Sequence, residues 1–138
     1  MKKIFSTIIE TLQEGEVKHF VADEEKSCVD FCIDGEKATY HVHLYAEEDQ
    51  ELLICATVFP IKVPQDRIPD MCVLINRINN SNLVTSLIVD PEDGLLQCRF
   101  TSTVDDGAIN KKIVAAVMCN TIKCFETHYE DLLKGIAG

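Results

Sequence analysis

Apolar positions recur along this chain with two periods, and the switches between them mark its elements. Ile4, Phe5, Ile8, Ile9 and Leu12 share one face at helical spacing, and Gly15 follows as a stop, so a helix is predicted over Lys2–Glu14. His19–Asp23 fits a short strand. The period then drops to two. In SCVDFCIDGEKATYHVHLY, Val29, Phe31 and Ile33 alternate with Cys28, Asp30 and Cys32; Ala38, Tyr40, Val42 and Leu44 alternate with Thr39, His41, His43 and Tyr45. Asp34-Gly35 between the two runs is a hairpin signal, and either a two-residue or a four-residue loop pairs apolar with apolar. The hairpin therefore has one apolar face and one mixed face.

The next run, LLICATVFPI (Leu52–Ile61), is apolar almost throughout, with Thr57 as the polar exception. Such a strand needs cover on both faces, from a helix or from another protein chain. Pro60 and Pro64 end it and introduce a second helix over Gln65–Asn80, with Asp66 near the positive dipole end and Pro69 tolerated in the first turn. Ile68, Met71, Cys72, Ile75 and Ile78 form its predicted buried stripe. The helix runs out in LINRINNSNLV. Asn79 borders the stripe, where it can bond a neighbouring backbone group, and Asn80 or Asn82 suits the left-handed conformation that ends a helix. Strands are predicted at Leu83–Val89 and Leu95–Thr103 around the turn Asp90–Gly94. Asp105-Asp106-Gly107 then leads to a last helix, Ala108–Leu133, with Ile109, Ile113, Ala116, Val117, Cys124 and Leu132 inward and Lys111, Lys112 and Glu126 outward. The pattern predicts an α+β fold: a single antiparallel sheet in α-β-β-β-(β)-α-β-β-α order with helices packed on it. The 138 residues contain no linker or repeat, so residues 1–138 are expected to form one domain.

Composition narrows the function. Thirteen basic against 23 acidic residues leave a net charge of −10, which repels phosphate backbones and anionic lipid, so neither nucleic acid nor membrane is an expected partner. The acids gather where turns are predicted and are read as solvating loops and strand ends. Lys2 and Lys3 resemble the start of a signal peptide, but Ser6, Thr7 and Glu10 interrupt the apolar part, and a cytoplasmic location is expected. Seven cysteines, an odd number, argue against a disulfide framework and for reduced thiols, with Cys55, Cys72 and Cys98 read as core residues.

Candidate chemistry concentrates on the mixed face of the hairpin. His41 and His43 stand about 6.6 Å apart at the usual strand rise. Cross-strand pairing is expected to set Cys28 or Asp30 opposite His41, giving zinc-ligand types on one face: Cys28, Asp30, His41 and His43. No C-x-x-C or H-x₃-H spacing accompanies them, and a cross-strand charge pair between Asp30 and His41 is the simpler account. No phosphate-binding glycine loop or nucleophile motif occurs, and no cofactor is expected.

The run FPIKVPQDRIPDMCVLINRINNSNLV, followed by IVDPEDGLLQCRFTS, resembles the YbjN family, proteins described as bacterial sensory-transduction regulators and built on the type III secretion chaperone-like fold. The shared pattern is Val63-Pro64, then Ile75-Asn76-Arg77-Ile78-Asn79, then the Asp-rich turn Asp90–Gly94. Many members carry a small residue or glycine before the next strand, where this chain has Ser81-Asn82-Leu83. The resemblance implies a small protein that binds other proteins, often as a homodimer, and no catalytic residues. Together with the doubly apolar strand, it points to a non-catalytic protein-binding module. The expected contact surface takes in Leu53, Cys55 and Phe59, and Val73, Arg77, Val84 and Ile88. The alternatives are a metal-binding or thiol-dependent enzyme using the His41/His43/Cys28 face, and a small-ligand sensor with a pocket between sheet and helices.

Overall fold

The computed structural model describes residues 2–15, 17, 19–105 and 108–138. Asp106 and Gly107, part of the predicted turn before the last helix, lie outside the described residues. Three helices, α1 (Lys3–Glu14), α2 (Ile68–Ser81, preceded by a 3₁₀ turn at Gln65–Arg67) and α3 (Lys111–Ala137), accompany six strands: β1 (Val21–Asp23), β2 (Cys28–Asp34), β3 (Thr39–Glu47), β4 (Leu52–Val58), β5 (Ser86–Val89) and β6 (Leu96–Thr103). The strands form one antiparallel sheet in the order β1-β2-β3-β4-β6-β5. The α+β class, the element order and the single sheet agree with the sequence pattern. No helix among the described residues is long and apolar enough to cross a membrane.

All three helices pack on one face of the sheet. The core has two parts. α1 and the first half of α3 cover Val29, Phe31, Val42, Leu44, Leu53 and Cys55. α2 and the second half of α3 cover Tyr40, Phe59, Leu87, Leu96 and Cys98. At 27 residues α3 is about 40 Å long, so one helix bridges both parts. Its Phe125 stacks on Tyr40 at 5.6 Å and tilts against Phe59 at 5.2 Å. α2 approaches α3 closely because Gly135 offers no side chain: a Cβ there would stand 2.9 Å from Met71 Cε and 3.0 Å from Leu74 Cδ2.

The middle strand β4 finds its cover within its own chain. Leu53, Cys55 and Thr57 lie under α1 and α3 with no exposed surface. Thr121 meets the lone polar residue: its hydroxyl donates to the Met118 carbonyl at 2.8 Å and accepts from Thr57 at 2.7 Å. On the opposite, helix-free face, Ile54 and Ala56 are buried, Ile54 paired with Tyr45 and Thr101 on the neighbouring strands and Ala56 with His43 and Arg99. Leu53, Cys55 and Phe59 are therefore interior and offer no contact surface, a correction to the sequence expectation.

Other local departures have physical causes. Cys72 and Ala116 were expected inside and are exposed; the buried stripe on α3 keeps Val117, Cys124 and Leu132 and adds Val114, Met118, Thr121 and Phe125. Strand β5 starts at Ser86 and not at Leu83. Helix α2 ends without a left-handed residue: Asn82 is extended, at φ −87°, and its N–H caps Ile78 and Asn79. The turn acids bond backbone as well as meeting water. Glu48, from the β3–β4 turn, accepts from the N–H groups of Ile4 and Phe5 at 3.1 and 2.9 Å and so caps the start of α1. The β5–β6 turn needs Gly94, at φ +76°, because a Cβ there would meet the Val63 carbonyl at 2.1 Å.

Candidate functional site

Two features remain on the surface: the mixed face of the hairpin, and the stretch from α2 to β5. The register of the hairpin positions the first. Asp34 pairs with Thr39, so the loop is Gly35–Ala38. Asp30 then stands opposite His43, and Cys32 opposite His41. This corrects the expectation that Cys28 or Asp30 faces His41 and follows from a loop placed further along than Asp34-Gly35 suggests. Glu126 of α3 holds that loop. Its carboxylate accepts from the Glu36 N–H, from the Lys37 N–H at 3.2 Å and from the Tyr40 hydroxyl at 2.7 Å. Burial alone would raise the Glu126 carboxyl; the bonds from Tyr40, Lys37 and Glu36 outweigh it and hold it below the ordinary range. Glu126, expected to face water, is thus a tertiary clamp.

Three of the four candidate ligands, Cys28, Asp30 and His43, converge, and His41 joins them through Asp30. A single Asp30 oxygen, Oδ1, lies 2.8 Å from His41 Nε2 and 2.8 Å from His43 Nδ1. An ionised carboxylate only accepts, so both ring nitrogens carry the proton that points at it. Burial would raise Asp30, but the hydrogen bonds from His43 and His41 prevail and lower it. One ligand atom each from Cys28, Asp30 and His43 lies within 4.8 Å of the others. Cys28 is nearly buried, and burial, then the carboxylates of Asp30 and Asp23, push its thiol up. Burial also pushes the Cys55 thiol up to about 11. Both shifts run against an activated nucleophile, which needs a thiolate at neutral pH. Sequence reasoning missed two contributors here: Tyr45, whose ring lies 5.0 Å from that of His43, and Asp23, opposite Cys28. Only strand register could have identified them.

The second feature contains Val73, Arg77, Val84 and Ile88, all exposed. Among the described residues, the exposed large apolar side chains are Val21, Ile61, Val73, Leu83, Val84 and Ile88, and four of these six fall between Val73 and Ile88. Leu83, absent from the expected set, is 97% exposed. The asparagines beneath are structural. Asn79 donates to the Leu87 carbonyl at 3.0 Å and accepts from the Leu87 N–H at 2.8 Å. Asn82 donates to Cys124 Sγ at 3.4 Å. Surface grooves run along the free edge of β2, between Phe20, Val21 and Phe31, and between α2 and α3, beside Arg67 and His128. Both are open, unlike the pocket between sheet and helices that a small-ligand sensor would use.

This fold is shared by solved chains of very different sequence. One, from the structure of the HopA1–SchA chaperone–effector complex, matches with a TM-score of 0.65 and 17% identity over 92% of this chain and 94% of its own. Another, from the Yersinia pestis type III secretion chaperone SycH in complex with a stable fragment of YscM2, matches with a TM-score of 0.61 and 16% identity over 88% and 96%. The architecture is that of the secretion chaperones. No curated protein matches the chain by sequence. The model of the YbjN family, described as "Putative bacterial sensory transduction regulator", matches residues 5–133, which takes in all six strands, the Asn79 junction and the Asp90–Gly94 turn. The chain belongs to the YbjN family.

Proposed function

We propose that the protein is a non-catalytic binding module, chaperone-like or regulatory, that holds a segment of a second protein and acts as a homodimer. The family description and the occurrence of the same fold in chaperone complexes with protein partners support the binding reading. The observation that carries the dimer is a coincidence of exposure and charge. From Met71 to Val89 the chain has no Asp or Glu and a single charge, Arg77, although the whole carries −10. Four of its exposed apolar side chains lie in that stretch. Two copies of so acidic a chain repel, and the repulsion is weakest where carboxylates are missing. A second copy meeting this surface about a two-fold axis buries the same patch on both sides.

Sedimentation velocity over a wide concentration range tests the dimer. A two-protomer species is expected, and Val84→Glu should leave a folded monomer with an unchanged circular dichroism spectrum. A monomer at every concentration overturns the dimer. A dimer indifferent to both Val84→Glu and Val73→Glu overturns this surface as its interface.

A further inference from the structure

We propose that the helix-free face carries a site for a borderline divalent cation of zinc's class, with Cys28, Asp30 and His43 as its ligands and His41 holding the Asp30 carboxylate. The proposal is independent of the dimer and of the protein-binding reading.

The geometry is close to what such an ion needs. Ligand atoms of Cys28, Asp30 and His43 already lie within 4.8 Å of one another, and His41 Nε2 stands 2.8 Å from the Asp30 oxygen that also holds His43. Tetrahedral zinc, with bonds of about 2.3 Å to sulfur and about 2.0–2.1 Å to nitrogen or oxygen, sets its ligand atoms roughly 3.3–3.6 Å apart. The thiol must move in by up to about 1.2 Å, and the His43–Asp30 contact must open by about half an ångström, from these bond lengths. Cys28 and Asp30 lie two apart on β2, His43 pairs with Asp30 from β3, and continuous pairing of the strands holds all three on one face. The Tyr45 ring against His43 restricts its rotation.

Chemistry and field favour the same ion. One sulfur, one imidazole nitrogen and one carboxylate oxygen suit zinc, whereas calcium and magnesium take all-oxygen sets. Asp23, opposite Cys28, adds a carboxylate beside the site, and the net charge draws cations towards it. The side chains of Asp30, His41 and His43 keep 39%, 52% and 36% of their exposure, which leaves a path for entry. Binding releases the Cys28 thiol proton, and the metal takes the place of the proton between Asp30 and the His43 ring. A simple charge pair accounts for Asp30 and the histidines but gives the adjoining thiol no part. Because the ligands come from both strands, the ion ties β2 to β3, and three protein ligands leave its fourth position to water.

Cobalt(II) titrated into the reduced, metal-free full chain tests the proposal. One equivalent should produce the strong visible bands of a tetrahedral site and a near-ultraviolet thiolate-to-cobalt band, both removed by added zinc. Cys28→Ser should abolish the thiolate band. His43→Gln, a surface change that leaves the fold intact, should weaken binding at least about tenfold and cancel any rise in melting temperature with zinc. The double variant Cys72→Ser/Cys119→Ser, at exposed thiols elsewhere, should behave as the unaltered protein. Absence of the thiolate band at one equivalent overturns the site. So does a band that survives Cys28→Ser or is unmoved by His43→Gln.

Discussion

Asn79 binds a single backbone residue at both of its polar groups, donating to the Leu87 carbonyl and accepting from its N–H. It stands in for a strand beside β5 at Leu87. Truncation to Ala leaves both Leu87 groups partly buried and unsatisfied. Asn79→Ala should therefore cost about 2–3 kcal/mol, read as a lower urea midpoint at unchanged slope. The sequence made this residue visible, because asparagine is a poor choice for the border of an apolar stripe unless its amide has a partner. It did not reveal that partner. A neighbouring role was misread for the same reason: Asn80 or Asn82 was expected to turn left-handed, yet neither does, and Asn82 stays extended and gives its amide to Cys124. Side-chain capacity is local knowledge, but the acceptor lies 42 residues away.

At the scale of elements, the β2–β3 hairpin shows how tertiary contact sets register. Alternation allowed more than one loop without moving an apolar side chain to the wrong face, so the pattern could not choose among them. Glu126 of α3, taking two loop N–H groups and the Tyr40 hydroxyl, favours the one with Asp34 opposite Thr39. That choice in turn sets Asp30 opposite His43 and assembles the candidate ligands. The clamp has a pH signature. The folded Glu126 carboxyl sits below its ordinary value of 4.5, so between the two values the unfolded chain binds more protons. Its contribution is complete above about pH 4.5 and is lost as pH falls through the lower folded value. Glu126→Gln should lower the melting temperature at neutral pH and flatten this part of the acid limb, measured by thermal melts from neutral to acid pH. Sequence placed Glu126 outward, correctly for helix periodicity, and could not show that a hairpin turn 90 positions earlier passes beside it.

For the molecule as a whole, charge and layer order decide the behaviour. A dimer formed by two protomers of −10 each works against its own field. Raising ionic strength from about 0.01 M to about 0.15 M shortens the screening length from about 30 Å to about 8 Å, so self-association should tighten with salt. Sedimentation equilibrium in the two buffers checks this, and weaker association at high salt would point to an interface held by ion pairs. The amino-acid sequence by itself determined the class, the order of helices and strands, and the need for cover on β4, because periodicity and apolar content are properties of short segments. It also brought out the four ligand types and the acid-free stretch from Met71 to Val89. Only the tertiary structure decided that β4 is covered by its own helices, so that Leu53, Cys55 and Phe59 are withdrawn from any partner. It decided too that Cys28, Asp30 and His43 meet, with His41 on the Asp30 carboxylate. Both outcomes depend on which distant segments share a face, and that is set by the packing of three helices on one side of a sheet, which no local pattern encodes.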